Sequence, residues 1–211
     1  MTYSEKDRKA IVKTGAKLQK NRFIAGSDGN ISVKLSNNEI LITPSGYRKG
    51  ELEPNNLVVI DFEGNVLEGK NKPSSEFLMH TYIYQNRPDI TACVHSHPPY
   101  STALAVAGVE LPDNILPEIV LFVGQIPLTD YAPPGTDAVP KSLSGFVNNC
   151  EAFLLRNHGL LTIGTNLDVA YNRHETVEHY AKILTLAKNH GNVNQIPEDD
   201  YKRLSSMRIK D

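Results

Sequence analysis

Two rhythms of apolar and polar positions run along the chain. Near the amino terminus Ile11, Gly15, Leu18 and Phe23 recur at helical spacing behind Ser4 and Asp7, which have the spacing of a capping box. The pattern predicts an opening helix over about residues 5 to 21. A turn cluster, GSDGN, then feeds the alternating run ISVKL, and EILIT (39–43) and LVVID (57–61) are short apolar runs bounded by Gly, Pro or Asn. This amino half reads as antiparallel strands. From Pro73 the period changes. Ser74 stands where it can cap a helix running through Phe77, Leu78 and Ile83, and Pro88 stops that helix near Arg87. A strand TACVH (91–95) comes next, then a helix around Ser101 to Ala107, a strand at Ile119 to Val123 and a helix after Asp137. A strand at Ala152 to Leu155 has a hairpin partner at Leu160 to Ile163. The last long helix, Leu167 to about Asn189, carries Val169, Ala170, Val177, Tyr180, Ile183, Leu184 and Ala187 on a broad apolar face, and Gly191 ends it. Without repeats or a linker, residues 1–211 read as a single α/β or α+β domain.

Composition narrows the class of function. A chain of 211 residues, 40% of them hydrophobic, can bury a large core without covalent staples. Its 22 Lys+Arg are balanced by 24 Asp+Glu, so no basic field draws it to nucleic acid or to a membrane surface. Cys93 and Cys150 are far apart and form no C-x-x-C pair, which excludes a legible disulfide framework or cysteine zinc site. The residues at the amino terminus carry charges where a signal peptide needs an apolar run, and no stretch approaches the length of a membrane span. The expectation is a cytoplasmic protein.

Candidate chemistry gathers at element ends. His95 and His97 are two apart at the end of an apolar strand, so both imidazoles project to the same face. His158, in LLRNHGLL, again follows an apolar strand and precedes a glycine turn, and Glu76 stands at a helix start. Three histidines and one carboxylate compose a donor set for zinc or a related divalent ion, although an isolated H-x-H is as often structural. The turns Ser27-Asp28-Gly29-Asn30, Ser45-Gly46 and Ser74-Ser75 offer backbone N–H groups and hydroxyls that can hold a phosphate without lysine; any one of them alone is merely a turn. Neither of the usual glycine-rich nucleotide motifs is present. His174 and His179 are five apart, about 140° around a helix, and read with Glu175 and Glu178 as a solvated face. His80, mid-helix, His190, near a helix end, and the core residue Cys93 are assigned no chemistry.

Taken in order, GSDGNISV, LITPSGY, PSSE, VHSHP and LLRNHGLL resemble the class II aldolase/adducin family, in particular its L-fuculose-1-phosphate aldolase type, from about residue 5 to 190. The resemblance implies a three-layer α/β/α sandwich around a mostly antiparallel central sheet, and a homotetramer with active sites between subunits. It implies one divalent ion per subunit, zinc or manganese with cobalt also compatible, held by His95, His97, His158 and Glu76, the last also serving as acid/base. Asn30, Ser45, Gly46, Ser74 and Ser75 would cradle the phosphate of a small sugar phosphate, with Gly29 shaping the turn. The implied reaction cleaves a deoxyketose 1-phosphate, L-fuculose 1-phosphate or 5-deoxyribulose 1-phosphate, into dihydroxyacetone phosphate and an aldehyde. Two tyrosines of the fuculose pattern are absent: the chain reads Asn114-Ile115-Leu116-Pro117-Glu118 and Leu204-Ser205-Ser206 at those places. Glu118 resembles the acidic base of the methylthioribulose-1-phosphate dehydratase branch. A dehydratase, a pentulose-phosphate epimerase and a non-catalytic adducin-like module are therefore the alternatives. A cupin-like protein ranks last, because the next acidic residue after His97 is Glu110.

Overall fold

A computed structural model describes residues 5–35 and 38–208; the Ser4 cap lies outside them. Helix α1 (Glu5–Lys20) is followed by β1 (Asn30–Lys34), β2 (Glu39–Ile42), β3 (Val58–Asp61) and β4 (Val66–Glu68). Next come α2 (Phe77–Asn86), β5 (Ala92–Ser96), α3 (Pro99–Ala107), α4 (Pro117–Phe122) and α5 (Ala138–Leu143). The chain continues through β6 (Ala152–Leu155), β7 (Gly159–Gly164), α6 (Leu167–His190) and α7 (Glu198–Ser206). The strands form one sheet in the order β4-β3-β2-β1-β5-β7-β6, and every neighbouring pair is antiparallel.

Alternation along each strand decides which layer a side chain joins. Ile40, Ile42, Val58 and Ile60 point to one face, where Met79 and Ile83 of α2 and Val139 and Leu143 of α5 cover them. Leu41, Val59 and Val94 point to the other, against Ile11 and Leu18 of α1 and Ala170 and Tyr171 of α6. Helices on both faces explain why β5, β6 and β7 are buried at every position. The architecture is thus the three-layer α/β/α sandwich around an antiparallel sheet. At one end α3 and α4 pack with α6 around Leu104, Ile119, Val123 and Tyr180.

Four elements depart from the pattern reading. The apolar run expected as a strand at Ile119 to Val123 lies within and just after helix α4. Pro117 supplies a ready-made φ at its first turn, and Ile119, Val120 and Val123 are buried while Phe122 is 44% exposed. Helix α2 begins at Phe77 rather than directly after Ser74, whose hydroxyl instead accepts from the Glu76 amide in the preceding turn (3.3 Å). Strand β4 and helix α7 give no apolar periodicity to find: Val66 and Leu67 are about half exposed and α7 buries no residue.

Candidate metal and phosphate site

The site lies where β1, β5 and the β6–β7 hairpin end beside the start of α2. The antiparallel register sets Asn30 opposite His95 and Ser96 opposite Leu160. His158 follows Asn157, whose φ of 56° turns the hairpin tightly. Gly159 lets that hairpin close on the strand, since a Cβ there would stand 2.6 Å from both the His97 ring and the Ser96 carbonyl. The ligand atoms of His95, His97 and His158 consequently lie within 4.8 Å of one another. The sheet thereby brings together residues about sixty positions apart in the chain.

Neighbouring groups fix each ring. His95 Nδ1 donates to the Leu160 carbonyl (2.9 Å), which leaves the Nε2 lone pair free and aimed into the cluster. His97 Nδ1 faces Asp28 Oδ2 at 3.5 Å, and its Nε2 is likewise free. Glu76 completes the set, with Oε1 3.2 Å from His158 Nε2 and Oε2 3.4 Å from His95 Nε2. Three of these buried atoms, His95 Nε2, His97 Nε2 and Glu76 Oε1, have no hydrogen-bond partner. Orphaned polar atoms converging on one point are what a cation satisfies, and three neutral imidazoles with one carboxylate suit a divalent transition ion. Burial drives His95 well below, and His97 below, the ordinary imidazole value, which keeps both as neutral donors. Burial alone would raise the Glu76 carboxyl. His95, His158 and Asn30 outweigh it and hold the group well below the usual carboxylate range.

A buried polar chain holds Glu76 from behind. Asn30 Nδ2 donates to Glu76 Oε2 at 2.7 Å, and Asn30 Oδ1 accepts from His80 Nε2. His80 Nδ1 in turn meets Ser32 Oγ at 2.7 Å, and Tyr84 OH meets the same Oγ at 2.7 Å. His80 is fully buried, which pushes it down to about 4, so it is neutral, with its proton on Nε2 and its acceptor toward Ser32. The Asn30 amide can therefore point its N–H only toward the carboxylate. This role of His80 is absent from the pattern reading, although its place one helical turn after Glu76 puts it on the same side of α2.

The phosphate turns also meet. A bridge between Pro44 and Pro73, with Ser45 N donating to Lys72 O (2.9 Å) and Ser74 N to Thr43 O (3.1 Å), sets Ser45-Gly46 beside Ser74-Ser75. Gly46 (φ +78°) and Gly29 (φ +72°) take left-handed turns, and a Cβ on Gly29 would strike the His95 carbonyl at 2.6 Å. Ser45, Gly46 and Ser75 are exposed and Ser74 is buried. Asn30 spends its side-chain amide on Glu76 and His80. Glu118 stands apart from this group. It is exposed in the first turn of α4 and lines a groove of about 460 Å³ with Leu116, Phe122, Thr176 and His179, to which no residue of the histidine cluster contributes.

The expected solvated face of α6 is only half right. Glu175 and His179 are exposed, but His174 is fully buried between Ser96 Oγ (2.7 Å) and Thr162 Oγ1 (3.1 Å). Glu178 accepts from the Tyr100 and Ser101 amides (2.9 and 2.8 Å) and from the Ser101 hydroxyl (2.7 Å), capping the start of α3 directly after the H-x-H strand. Because α6 lies across β5 and β7, polar residues on its sheet side serve those strands from beneath.

Residues 9–185 match the family described as the Class II Aldolase and Adducin N-terminal domain. A 5-deoxy-D-ribulose 1-phosphate aldolase of Bacillus thuringiensis is 34% identical over 203 residues, covering 95% of this chain and 94% of its own. A 3-oxo-tetronate 4-phosphate decarboxylase of Pectobacterium atrosepticum is 33% identical over 209 residues, covering 97% of this chain and 95% of its own. Among solved structures an L-fuculose 1-phosphate aldolase superposes with a TM-score of 0.89 at 35% identity, covering 97% of this chain and 96% of that one. The fold agrees with these matches, and the chain belongs to the class II aldolase and adducin family, on the side of its lyase enzymes.

Proposed function

We propose that the protein is a metal-dependent aldolase that cleaves a deoxyketose 1-phosphate into dihydroxyacetone phosphate and an aldehyde. The observation that carries this is the convergence of three imidazoles and one carboxylate, with His95 Nε2, His97 Nε2 and Glu76 Oε1 unpartnered, in the same molecule as the adjoining turns at Ser45-Gly46 and Ser74-Ser75. His95, His97, His158 and Glu76 would hold a zinc or manganese ion, cobalt being compatible, which supplies Lewis-acid stabilisation of negative charge on substrate oxygens when bound. The turns at Gly29-Asn30, Ser45-Gly46 and Ser74-Ser75 hold and orient the phosphate end through backbone N–H groups and hydroxyls. Glu76 returns a proton to the three-carbon fragment after cleavage and removes it in condensation, and Asn30 keeps its carboxylate turned toward the site. The proposal includes a homotetramer in the cytoplasm with sites between subunits. Glu118, exposed and lining a groove to which the histidine cluster does not contribute, would then serve a neighbour's site.

A second reaction is favoured by one observation, the absence of both tyrosines from the aldehyde side. Loss of carbon dioxide from a 3-oxo acid phosphate leaves the same three-carbon phosphate fragment as aldol cleavage. It needs no proton transfer at a departing aldehyde oxygen. The similarity to a 3-oxo-tetronate 4-phosphate decarboxylase points the same way. The test is product analysis of metal-loaded protein given L-fuculose 1-phosphate, 5-deoxyribulose 1-phosphate and 3-oxo-tetronate 4-phosphate in parallel. Dihydroxyacetone phosphate is read by a coupled reductase, and carbon dioxide is read separately. Dihydroxyacetone phosphate with an aldehyde and no carbon dioxide supports the aldolase. Carbon dioxide from the third substrate alone selects the decarboxylase. An unchanged carbon skeleton in every case overturns both in favour of dehydration or epimerisation.

A further inference from the structure

We propose that Lys49 is the cationic member of the phosphate cradle, the fixed counter-ion for the phosphate dianion of the substrate. This rests on the sugar-phosphate assignment above and adds a charged residue to a cradle otherwise built from turns.

Lys49 is 2% exposed and has no carboxylate within ion-pair distance among the described residues. Other cations that pack into the fold do have them: Arg8 pairs with Glu68, Arg87 with Asp89 and Glu151, and Arg208 with Glu151. An isolated ammonium out of water is unfavourable unless something answers its charge. Its Nζ donates to the carbonyls of Ser27 (2.6 Å) and Tyr47 (2.8 Å), and the third N–H has no acceptor among the described residues. Those two carbonyls belong to different turns, one leading into Gly29-Asn30 and the other directly after Ser45-Gly46. One ammonium therefore ties together the two loops that the cradle requires to be adjacent. Its carboxylate neighbours are engaged elsewhere, Asp28 with His97 and Glu76 with Asn30 and the histidines.

The position is also built rigidly. A Cβ on Gly15 would stand 2.2 Å from the Lys49 carbonyl, so α1 presses directly on the backbone that carries the lysine. Gly50 is pressed in the same way against the Gln19 side chain. Burial lowers the ammonium to about 8 against the pull of Asp28 and Glu76, so it remains charged at neutral pH. Backbone N–H turns accept any tetrahedral oxyanion. A fixed, desolvated ammonium beside them favours a dianion over a neutral group.

The experiment compares metal-loaded wild type with Lys49→Gln, which keeps N–H donors near the two carbonyls and removes the charge, and with Lys49→Met as a second neutral variant. Calorimetric titration uses inorganic phosphate, dihydroxyacetone phosphate and unphosphorylated dihydroxyacetone. Metal affinity is measured alongside. The expected result is at least a tenfold loss of affinity for both phosphates in either neutral variant, with dihydroxyacetone and metal affinities within twofold of wild type. In turnover KM rises and kcat changes little, and Lys49→Arg recovers part of the loss. Unchanged phosphate affinity in a folded neutral variant overturns the proposal and leaves the aldolase assignment standing on its products. An equal loss for dihydroxyacetone and both phosphates also overturns it, reducing Lys49 to a tie between loops. A wild type that binds neither phosphate overturns the sugar-phosphate assignment itself.

Discussion

Replacing Asn30 by alanine separates two consequences that the structure assigns to one side chain. The amide is 2% exposed and links Glu76 Oε2 at 2.7 Å to His80 on its other side. Its bond to Glu76 is charge-assisted, and such bonds contribute about 1.5–3 kcal/mol, which translates to about 10- to 150-fold in a rate that depends on the carboxylate's position. The same truncation leaves His80 Nε2–H buried without an acceptor, at a cost to folding of about 1–3 kcal/mol. For a chain of this size that lowers the melting midpoint by roughly 2–12 °C. The assay pairs urea or thermal melts with steady-state turnover at fixed metal occupancy. A double-mutant cycle with His80→Leu completes it. The two residues should show a coupling of about 1–3 kcal/mol in stability, because either substitution alone orphans the other's polar atom. Additive effects would refute the connected chain from Tyr84 to Glu76. A normal kcat in Asn30→Ala would refute the orientation of Glu76, even if the melt moved.

Three further outcomes follow from the same geometry. His80 and His174 are buried and neutral, with folded values near 4 and 3 against about 6.5 in an unfolded chain. The folded state binds fewer protons, so stability is full above about pH 6.5 and falls as pH drops toward 4, by about 1.4 kcal/mol per pH unit for each imidazole; urea melts at pH 7, 6 and 5 read the slope, and a flat profile would contradict their neutral burial. Gly159→Ala drives a Cβ into the His97 ring and the Ser96 carbonyl, and metal affinity measured by competition with a chromophoric chelator should fall at least tenfold. Purified wild type is expected to carry a stoichiometric divalent ion by elemental analysis and to melt higher when zinc is added, and His95→Ala is expected to lose both.

The sequence already carried the residues that cluster in the structure, because their signals are local. His95 and His97 follow from a strand's twofold period, and Gly29 and Gly46 mark turns whose positive φ favours glycine. Helix α6 is marked by apolar positions at helical spacing and the buried strands by short, mostly apolar runs. Where a local signal was ambiguous or weak, the reading failed. Ile119 to Val123 spells a strand equally well until Pro117 and the packing against α6 choose a helix, and α7 has no buried stripe to detect.

What tertiary structure alone decided is which polar residues meet. Sheet register places Asn30 opposite His95, and α2 then stacks His80 behind Asn30, a relation that spans fifty residues of sequence. His174 and Glu178 look like surface on a helical wheel and become internal only because α6 crosses β5 and β7. Lys49 reads as one of many surface lysines in a turn until α1 and two loops close over it. A periodic pattern records how much of an element is apolar. Which polar group is enclosed depends on the elements that pack against it, and those come from distant parts of the chain.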